Sequence, residues 1–113
     1  MTHSPTSTVR PITAASVLVI QNRKALIIQR GREPSKGLWA LPGGRQEAGE
    51  LMEQTARREL FEETGLTATT LRFLQLIEPI RRNGQGEIVS HYVLAVYFCD
   101  DAAGTLQAGD DAA

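Results

Sequence analysis

Three glutamates crowd into one short stretch of the chain, Glu59, Glu62 and Glu63. They fall near the end of a predicted helix, where the negative pole of the helix dipole opposes further negative charge. Glu59 and Glu63 are four residues apart, a spacing at which like charges repel across one turn. Carboxylates so spaced can also converge on one divalent cation, and oxygen ligands suit Mg²⁺ or Mn²⁺. The sequence therefore predicts a metal site at this helix end.

The helix that carries these acids is predicted to run between two glycines. Gly49 and Glu50 open it, with the Glu50 carboxylate at the positive pole of the dipole. Thr64 and Gly65 close it, because glycine is the usual residue just beyond a helix end. The expected length is about four turns.

The predicted buried face of this helix decides how the acids are interpreted. Its apolar residues recur at every fourth position, at Met52, Ala56 and Leu60. At about 100° per residue, Glu59 and Glu63 project close to this stripe, whereas Glu62 lies further round. Carboxylates at the edge of a core require a cation, a basic partner or protonation. A solvated charged face is the alternative, and it predicts acids opposite the stripe.

Arg58 is the basic partner that the helix itself offers. It lies four residues before Glu62, the spacing at which opposite charges pair on a helix surface. One arginine cannot neutralise three acids, so the excess negative charge remains. Arg57, on a different side of the helix, is predicted to contribute little to the site.

The segments around the helix are predicted to be strands, because they are rich in β-branched and apolar residues. They cover residues 14–20, 25–30, 38–41, 67–80 and 87–100. The first two form a hairpin around the polar turn QNRK, and their continuous apolar character predicts a sheet covered on both faces. Between the third strand and the helix, Pro42, Gly43 and Gly44 predict a turn that lets backbone approach a ligand closely. The fold class is therefore α/β, in its α+β form.

Composition excludes several classes of function. The 113 residues fit one small domain, and 13 acidic against 12 basic residues give no field that favours nucleic acid or an anionic membrane. No segment has the length of apolar residues that spans a bilayer. Cys99 is the only cysteine, predicted to lie in the core, which excludes an internal disulfide and fits a cytoplasmic location. Residues 1–12 are predicted to form a loose tail and residues 13–113 the domain.

The residues around the predicted metal site resemble a known family. Nine positions, Gly44, Glu50, Arg58–Leu60, Glu62–Glu63 and Gly65–Leu66, match the spacing of the Nudix box. The preceding LPGG and the tryptophan before it also look like the approach to that box. The chain is thus identified as resembling the Nudix hydrolase superfamily, from about Ala14 onward.

This resemblance implies a metal-dependent hydrolase that cleaves the diphosphate linkage of nucleoside diphosphate-X compounds. It implies that Glu59, Glu62 and Glu63 are metal ligands, joined by the backbone carbonyl of Gly43. Arg58 would orient the glutamates. Glu59 is the candidate catalytic base within the box, Glu62 belongs to the same catalytic group, and a base outside the box is an open alternative.

The later segments HYVLAVYF and GTLQAGDDAA look most like the ADP-ribose pyrophosphatase-like branch of the superfamily. That branch implies a nucleotide sugar or dinucleotide as substrate, with Arg30, Arg32 and Arg45 as candidate phosphate contacts. Surface solubility is the alternative role for these arginines. A nucleotide-sensing domain that keeps the box without turnover is the alternative function.

The family fold is an α/β/α sandwich built on a mixed sheet, and it usually continues with a further strand and a C-terminal helix. The sequence ends at Ala113 before both. Apolar sheet surface would then be exposed, which predicts either a homodimer that covers it or a truncated fragment. Asp110 and Asp111 fall where some members carry a late acid near the metal.

Overall fold

The computed structural model describes residues 8–30 and 37–107. These residues form one helix and ten strands, most of them short. In chain order they are β1 (Ile12–Gln21), β2 (Lys24–Ala25), β3 (Ile28–Gln29), β4 (Trp39–Ala40), β5 (Gly43–Arg45), α1 (Met52–Thr64), β6 (Leu66–Ala68), β7 (Arg72–Ile77), β8 (Ile80–Arg82), β9 (Ile88–Cys99) and β10 (Ala102–Gly104).

The principal sheet is mixed and has six strands. Its main path runs β2–β1–β9–β7, while β5 pairs with β1 and β8 pairs with β9. The two long strands, β1 and β9, are parallel from Ile12 beside Tyr92 to Val19 beside Cys99, and the other pairings are antiparallel. Two small antiparallel ribbons, β3–β4 and β6–β10, lie outside this sheet. The predicted mixed sheet and the α+β class are confirmed.

The core lies between one face of β1 and α1. Alternate residues of β1, namely Ala15, Val17 and Val19, are buried with Ala56 and Leu60 of the helix. The predicted apolar stripe is therefore confirmed, and Cys99 is buried in the same cluster. Full burial of a leucine such as Leu60 contributes about 2 kcal/mol to folding. This packing fixes the helix against the sheet and so sets where its last turn lies.

Only one helix is present in the part of the chain that the structure describes, so the second helical layer of the expected sandwich is not seen there. Within residues 8–30 and 37–107, no helix combines the length and apolar character needed to cross a membrane. β1 already begins at Ile12, one residue inside the segment predicted as a loose tail. Residues 1–7, Asp110 and Asp111 lie outside the described residues.

The helix begins later than the sequence pattern predicts. Its first residue is Met52, preceded by Leu51 in an extended conformation with ψ 154°. The side chain of Gln54 accepts the Leu51 N–H at 2.7 Å, so the first turn is closed without Glu50. The predicted end is confirmed, since Gly65 adopts a left-handed φ of 78° and donates its N–H to Phe61 O at 2.8 Å.

Two predicted strands are interrupted. The segment 25–30 is split into β2 and β3, although the hairpin with β1 is present, with Asn22 and Arg23 at positive φ of 53° and 63°. The segment 67–80 is split into β6, β7 and the first residue of β8. Pro79, which has no N–H to donate to a sheet, separates β7 from β8. Arg81 and Arg82 lie in β8, so the loop between β8 and β9 is shorter than the RRNGQG turn that the sequence predicts.

Candidate functional site

The end of α1 is joined to β5 through Glu63. The Glu63 carboxylate accepts the N–H of Gly43 at 2.7 Å, across 20 positions of sequence. The loop before β5 is fixed in turn, because Val17 donates its N–H to Pro42 O at 2.9 Å. Glu63 is only 6% exposed, although it is a charged residue at a helix end. The structure thus places Glu63 beside Gly43, through the Gly43 N–H and not through the carbonyl predicted as a ligand.

Glu59 is held one turn earlier against the next glycine. A Cβ atom on Gly44 would lie 2.8 Å from Glu59 Oε2 and closer still to Oε1. The carboxylate therefore occupies the space that any side chain at position 44 would fill, which explains why glycine stands there. Glu59 is 9% exposed. The inward orientation predicted for Glu59 and Glu63 is confirmed, and the solvated charged face is wrong for these two residues.

Arg58 connects the acids to one another. Its Nη1 lies 3.2 Å from Glu59 and 3.1 Å from Glu62, so the predicted i,i+4 pair with Glu62 is present. Its strongest partner is Glu50, which accepts from Nε at 2.6 Å and from Nη2 at 3.0 Å. The same guanidinium lies 3.3 Å from Glu47 and donates to the carbonyl of Arg45 at 3.0 Å. A planar, forked donor suits such a bidentate role better than lysine would.

Glu50 is the functional residue whose role the sequence analysis missed. Its carboxylate accepts hydrogen bonds from Arg58, from the Glu47 N–H at 2.9 Å and from the Thr55 hydroxyl at 2.9 Å. Chiefly through the Arg58 hydrogen bond, the pKa of Glu50 is lowered to about 2. The same hydrogen bond raises the pKa of Arg58. Its place among the fixed box positions was the available signal, but helical periodicity could not reveal the contact because Glu50 precedes the helix.

The donor set fits a divalent cation in its chemistry. Three carboxylates occupy the last turns of α1, and two of them are buried against the Gly43–Gly44 backbone. Oxygen donors of this kind are what Mg²⁺ and Mn²⁺ prefer. In the described residues no three acidic, histidine or cysteine side chains already converge as a closed ligand set. Binding a cation would therefore require side-chain rotations of the glutamates, which the exposed Glu62 can make most freely.

The arginines predicted to contact phosphate do not all lie beside the glutamates at the end of α1. Arg30 belongs to the β3–β4 ribbon, where its backbone bonds to Gly37 and Leu38 at 2.8 Å. Arg45 is exposed and follows Gly44 in β5, so its side chain leaves the strand on the face opposite Glu59. Arg32 lies outside the described residues.

Arg57 differs sharply from its neighbour Arg58. Its guanidinium donates to the carbonyl of Ala68 and to Glu53, the latter at 3.1 Å. These contacts tie α1 to β6 on a side of the helix away from Glu59 and Glu63. Arg57 therefore supports the position of the helix rather than the charge of the site.

Comparison with known proteins agrees with this geometry. The sequence model of the NUDIX domain matches residues 10–113. A curated relative, ADP-ribose pyrophosphatase from Methanocaldococcus jannaschii, is 37% identical over 102 residues, covering 90% of this chain and 58% of the relative. A second, oxidized purine nucleoside triphosphate hydrolase from Danio rerio, is 47% identical over 55 residues, which is 49% of this chain and 35% of that protein. The chain thus spans little more than half of the first relative.

Solved structures share the fold. The MutT NUDIX hydrolase from Burkholderia pseudomallei superposes with a TM-score of 0.77 at 28% identity, covering 88% of this chain and 74% of that one. The NUDIX domain of Shewanella oneidensis NrtR, solved in complex with ADP ribose, gives a TM-score of 0.74 over 97% of this chain and 73% of its own. At 23% identity that likeness shows the fold alone. With the box geometry, the matched sequence model and these folds in agreement, the chain belongs to the NUDIX domain family.

Proposed function

We propose that this protein is a metal-dependent pyrophosphohydrolase that cleaves the diphosphate linkage of nucleoside diphosphate-X compounds. The observation that carries the proposal is the pair of buried carboxylates, Glu59 and Glu63, held against the Gly43–Gly44 backbone at the end of α1. Burying two acids at the negative pole of a helix is unfavourable unless positive charge offsets theirs. Arg58 contacts Glu59 and Glu62, but one guanidinium does not neutralise three carboxylates, and a divalent cation would supply the remaining charge. A diphosphate brings further negative charge to the same place, so the cation would serve both.

The proposed chemistry assigns a separate task to each residue. Glu59, Glu62, Glu63 and the Gly43 carbonyl would hold Mg²⁺ or Mn²⁺, which supplies charge neutralisation and a more acidic bound water. Glu59 accepts a proton from the water that attacks phosphorus, and the P–O bond to the leaving phosphate breaks. Arg58 keeps the glutamates in position through its shared contacts. Water is added across the diphosphate, and two monophosphates leave.

ADP-ribose is the substrate that we propose first. The support comes from the archaeal relative, an ADP-ribose pyrophosphatase that aligns with 90% of this chain. Arg30, Arg32 and Arg45 are proposed as contacts to phosphate oxygens remote from the metal. The side chain of Arg45 projects from β5 on the face opposite Glu59, so it would have to extend around the edge of the strand to contact a phosphate.

The proposal extends to the location of the protein in the cell and to its binding partners. A single buried cysteine is compatible with a reducing cytoplasm, where we place the protein. Near-balanced charge favours a small-molecule substrate over nucleic acid. A second copy of the chain is the macromolecular partner that we expect.

The test of this proposal is product analysis with ADP-ribose and a panel of other nucleoside diphosphate compounds, in the presence of Mg²⁺ or Mn²⁺. We expect AMP and ribose 5-phosphate from ADP-ribose, formed by the wild type and lost in Glu59→Gln. The matched control is Glu53→Gln, which changes an exposed glutamate in the first turn of the same helix. No cleavage of any diphosphate by the wild type would contradict the proposal.

A nucleotide-sensing domain without turnover is the competing function. It predicts saturable binding of ADP-ribose by calorimetry together with no product above the Glu59→Gln background. Retention of all three box glutamates favours turnover, because binding alone does not require a base beside the metal.

A further inference from the structure

In residues 8–30 and 37–107, the edge strand β7 is paired along one side only. Within the described residues its sheet partner is β9, and every one of its six residues is exposed. An exposed edge of this kind presents a row of N–H and C=O groups that another strand can pair with. Edge strands are commonly protected by lysine, proline, a β-bulge or a covering element. The six residues RFLQLI contain no lysine or proline, and the irregularity of the strand is the bulge at Leu74.

The side chains of this edge are apolar on both faces of the sheet. Phe73 is 60%, Leu74 50% and Leu76 51% exposed, and Ile77 is also exposed. A bulge at Leu74 shifts the register of β7 against β9 between Phe73 and Gln75. Apolar surface of this extent is typical of an interface rather than of a free surface.

Opposite charges bracket the strand. Arg72 begins β7, and Glu78 follows its last residue, with Pro79 ending the available edge. Arg72 lies 3.7 Å from Asp100 in an exposed pair and 4.9 Å from the centre of the Phe98 ring. Glu78 lies 3.6 Å from His91, and the side chains of Arg72 and Glu78 are themselves more than half exposed. Such pairs hold their partners weakly. Both charges therefore remain available to a partner strand.

We propose that β7 pairs antiparallel with β7 of a second copy of this chain, about a two-fold axis at Gln75. In that register each residue faces the one equally far on the other side of Gln75, so Arg72 of one copy lies opposite Glu78 of the other. Leu74 then faces Leu76, and Phe73 faces Ile77. The strand is thus self-complementary in backbone, apolar contact and charge, which is what a two-fold interface requires.

This interface is separate from the catalytic proposal. β9 lies between β7 and β1 in the sheet, and the box helix packs on β1. Dimerisation through β7 leaves the end of α1 uncovered. Failure of either proposal therefore does not decide the other, and the two are tested by different measurements.

Charge reversal tests the register. Sedimentation equilibrium of the wild type is expected to show a dimer at about 100 µM protomer. Arg72→Glu alone and Glu78→Arg alone should each raise the dimer Kd about tenfold or more, because like charges then face one another. The double reversal should return the Kd to within about threefold of the wild type. A monomer at this concentration, or a dimer indifferent to the single reversals, would overturn the proposal.

Cross-linking tests the axis. Directly opposed residues of antiparallel strands have Cα atoms about 4.5–5.5 Å apart, within reach of a disulfide. Gln75→Cys should therefore form a covalent dimer under mild oxidation, whereas the native Cys99 is buried and should not. Gln85→Cys, in the exposed loop between β8 and β9, is the matched control. Equal cross-linking of both variants would overturn the assigned axis.

Discussion

The two ends of this molecule are organised in opposite ways. At the end of α1, a single guanidinium is shared among Glu47, Glu50, Glu59 and Glu62, and the backbone of β5 meets two carboxylates directly. At the β7–β8–β9 end, apolar side chains such as Phe73 and Leu76 are exposed. Polar contacts there are mostly confined to the loop before β9, where Asn83 binds Gln85 and Glu87.

The two regions differ in how many of their side chains have a fixed partner within the chain. Buried carboxylates repel one another, and a fixed hydrogen-bond donor or a positive charge beside each of them offsets that repulsion. The glutamates at the end of α1 therefore require a connected hydrogen-bond network. An apolar strand edge requires only a complementary surface, which a second chain can supply. The first region is held together by hydrogen bonds and ion pairs within the chain, whereas the second exposes apolar side chains along β7.

The largest effect is expected from Glu63→Gln. The amide preserves shape but removes the charge and weakens metal binding, so kcat/KM should fall about 10²–10³-fold. Steady-state kinetics on ADP-ribose measures this, with Glu53→Gln as the control at the other end of α1. Comparable losses of kcat/KM in Glu63→Gln and Glu53→Gln would mean that the glutamates at the end of α1 have no special role in the reaction.

Gly44→Ala should have the next largest effect. The added Cβ would collide with the Glu59 carboxylate, so that side chain must move and kcat should fall about 10–10²-fold. Gly84→Ala is the matched control, because nothing lies within 4 Å of a Cβ at that position. If both variants keep full activity, the Gly44–Glu59 contact has no functional role.

Stability should depend on pH through Glu50. The folded protein keeps this carboxyl deprotonated down to a pKa of about 2, whereas its ordinary value is 4.5. Between these values the unfolded chain binds more protons, so the free energy of unfolding falls as pH drops from about 4.5 towards 2. Urea titrations over this range should show a shallower decline in Glu50→Gln. Identical pH profiles for the two proteins would contradict the assigned partnership with Arg58.

The smallest effect is expected at the other end of the molecule. Leu76→Lys changes a half-exposed residue of β7, so the unfolding free energy of the protomer should shift by no more than about 0.5 kcal/mol. Its kcat/KM should equal that of the wild type. A loss of activity in Leu76→Lys would mean that β7 influences the site at the end of α1, although the structure separates the two regions.

The sequence predicted the site better than the elements around it. The inward direction of Glu59 and Glu63 follows from helical geometry alone, and Gly65 ended the helix where glycine usually does. The contact between Glu50 and Arg58 depends on an irregular segment before the helix, which has no period to follow. The parallel pairing of β1 with β9 joins residues about eighty positions apart, and local pattern carries no information on such pairs.

The proposed function depends most on a divalent cation held by the acids at the end of α1. Mn²⁺ titration monitored by electron paramagnetic resonance tests it directly and independently of turnover. We predict saturable binding by the wild type and by Arg57→Ala, which keeps the site carboxylates, with affinity at least about tenfold weaker in Glu59→Gln and Glu63→Gln. Equal Mn²⁺ affinity in all four proteins would contradict a metal site formed by Glu59 and Glu63.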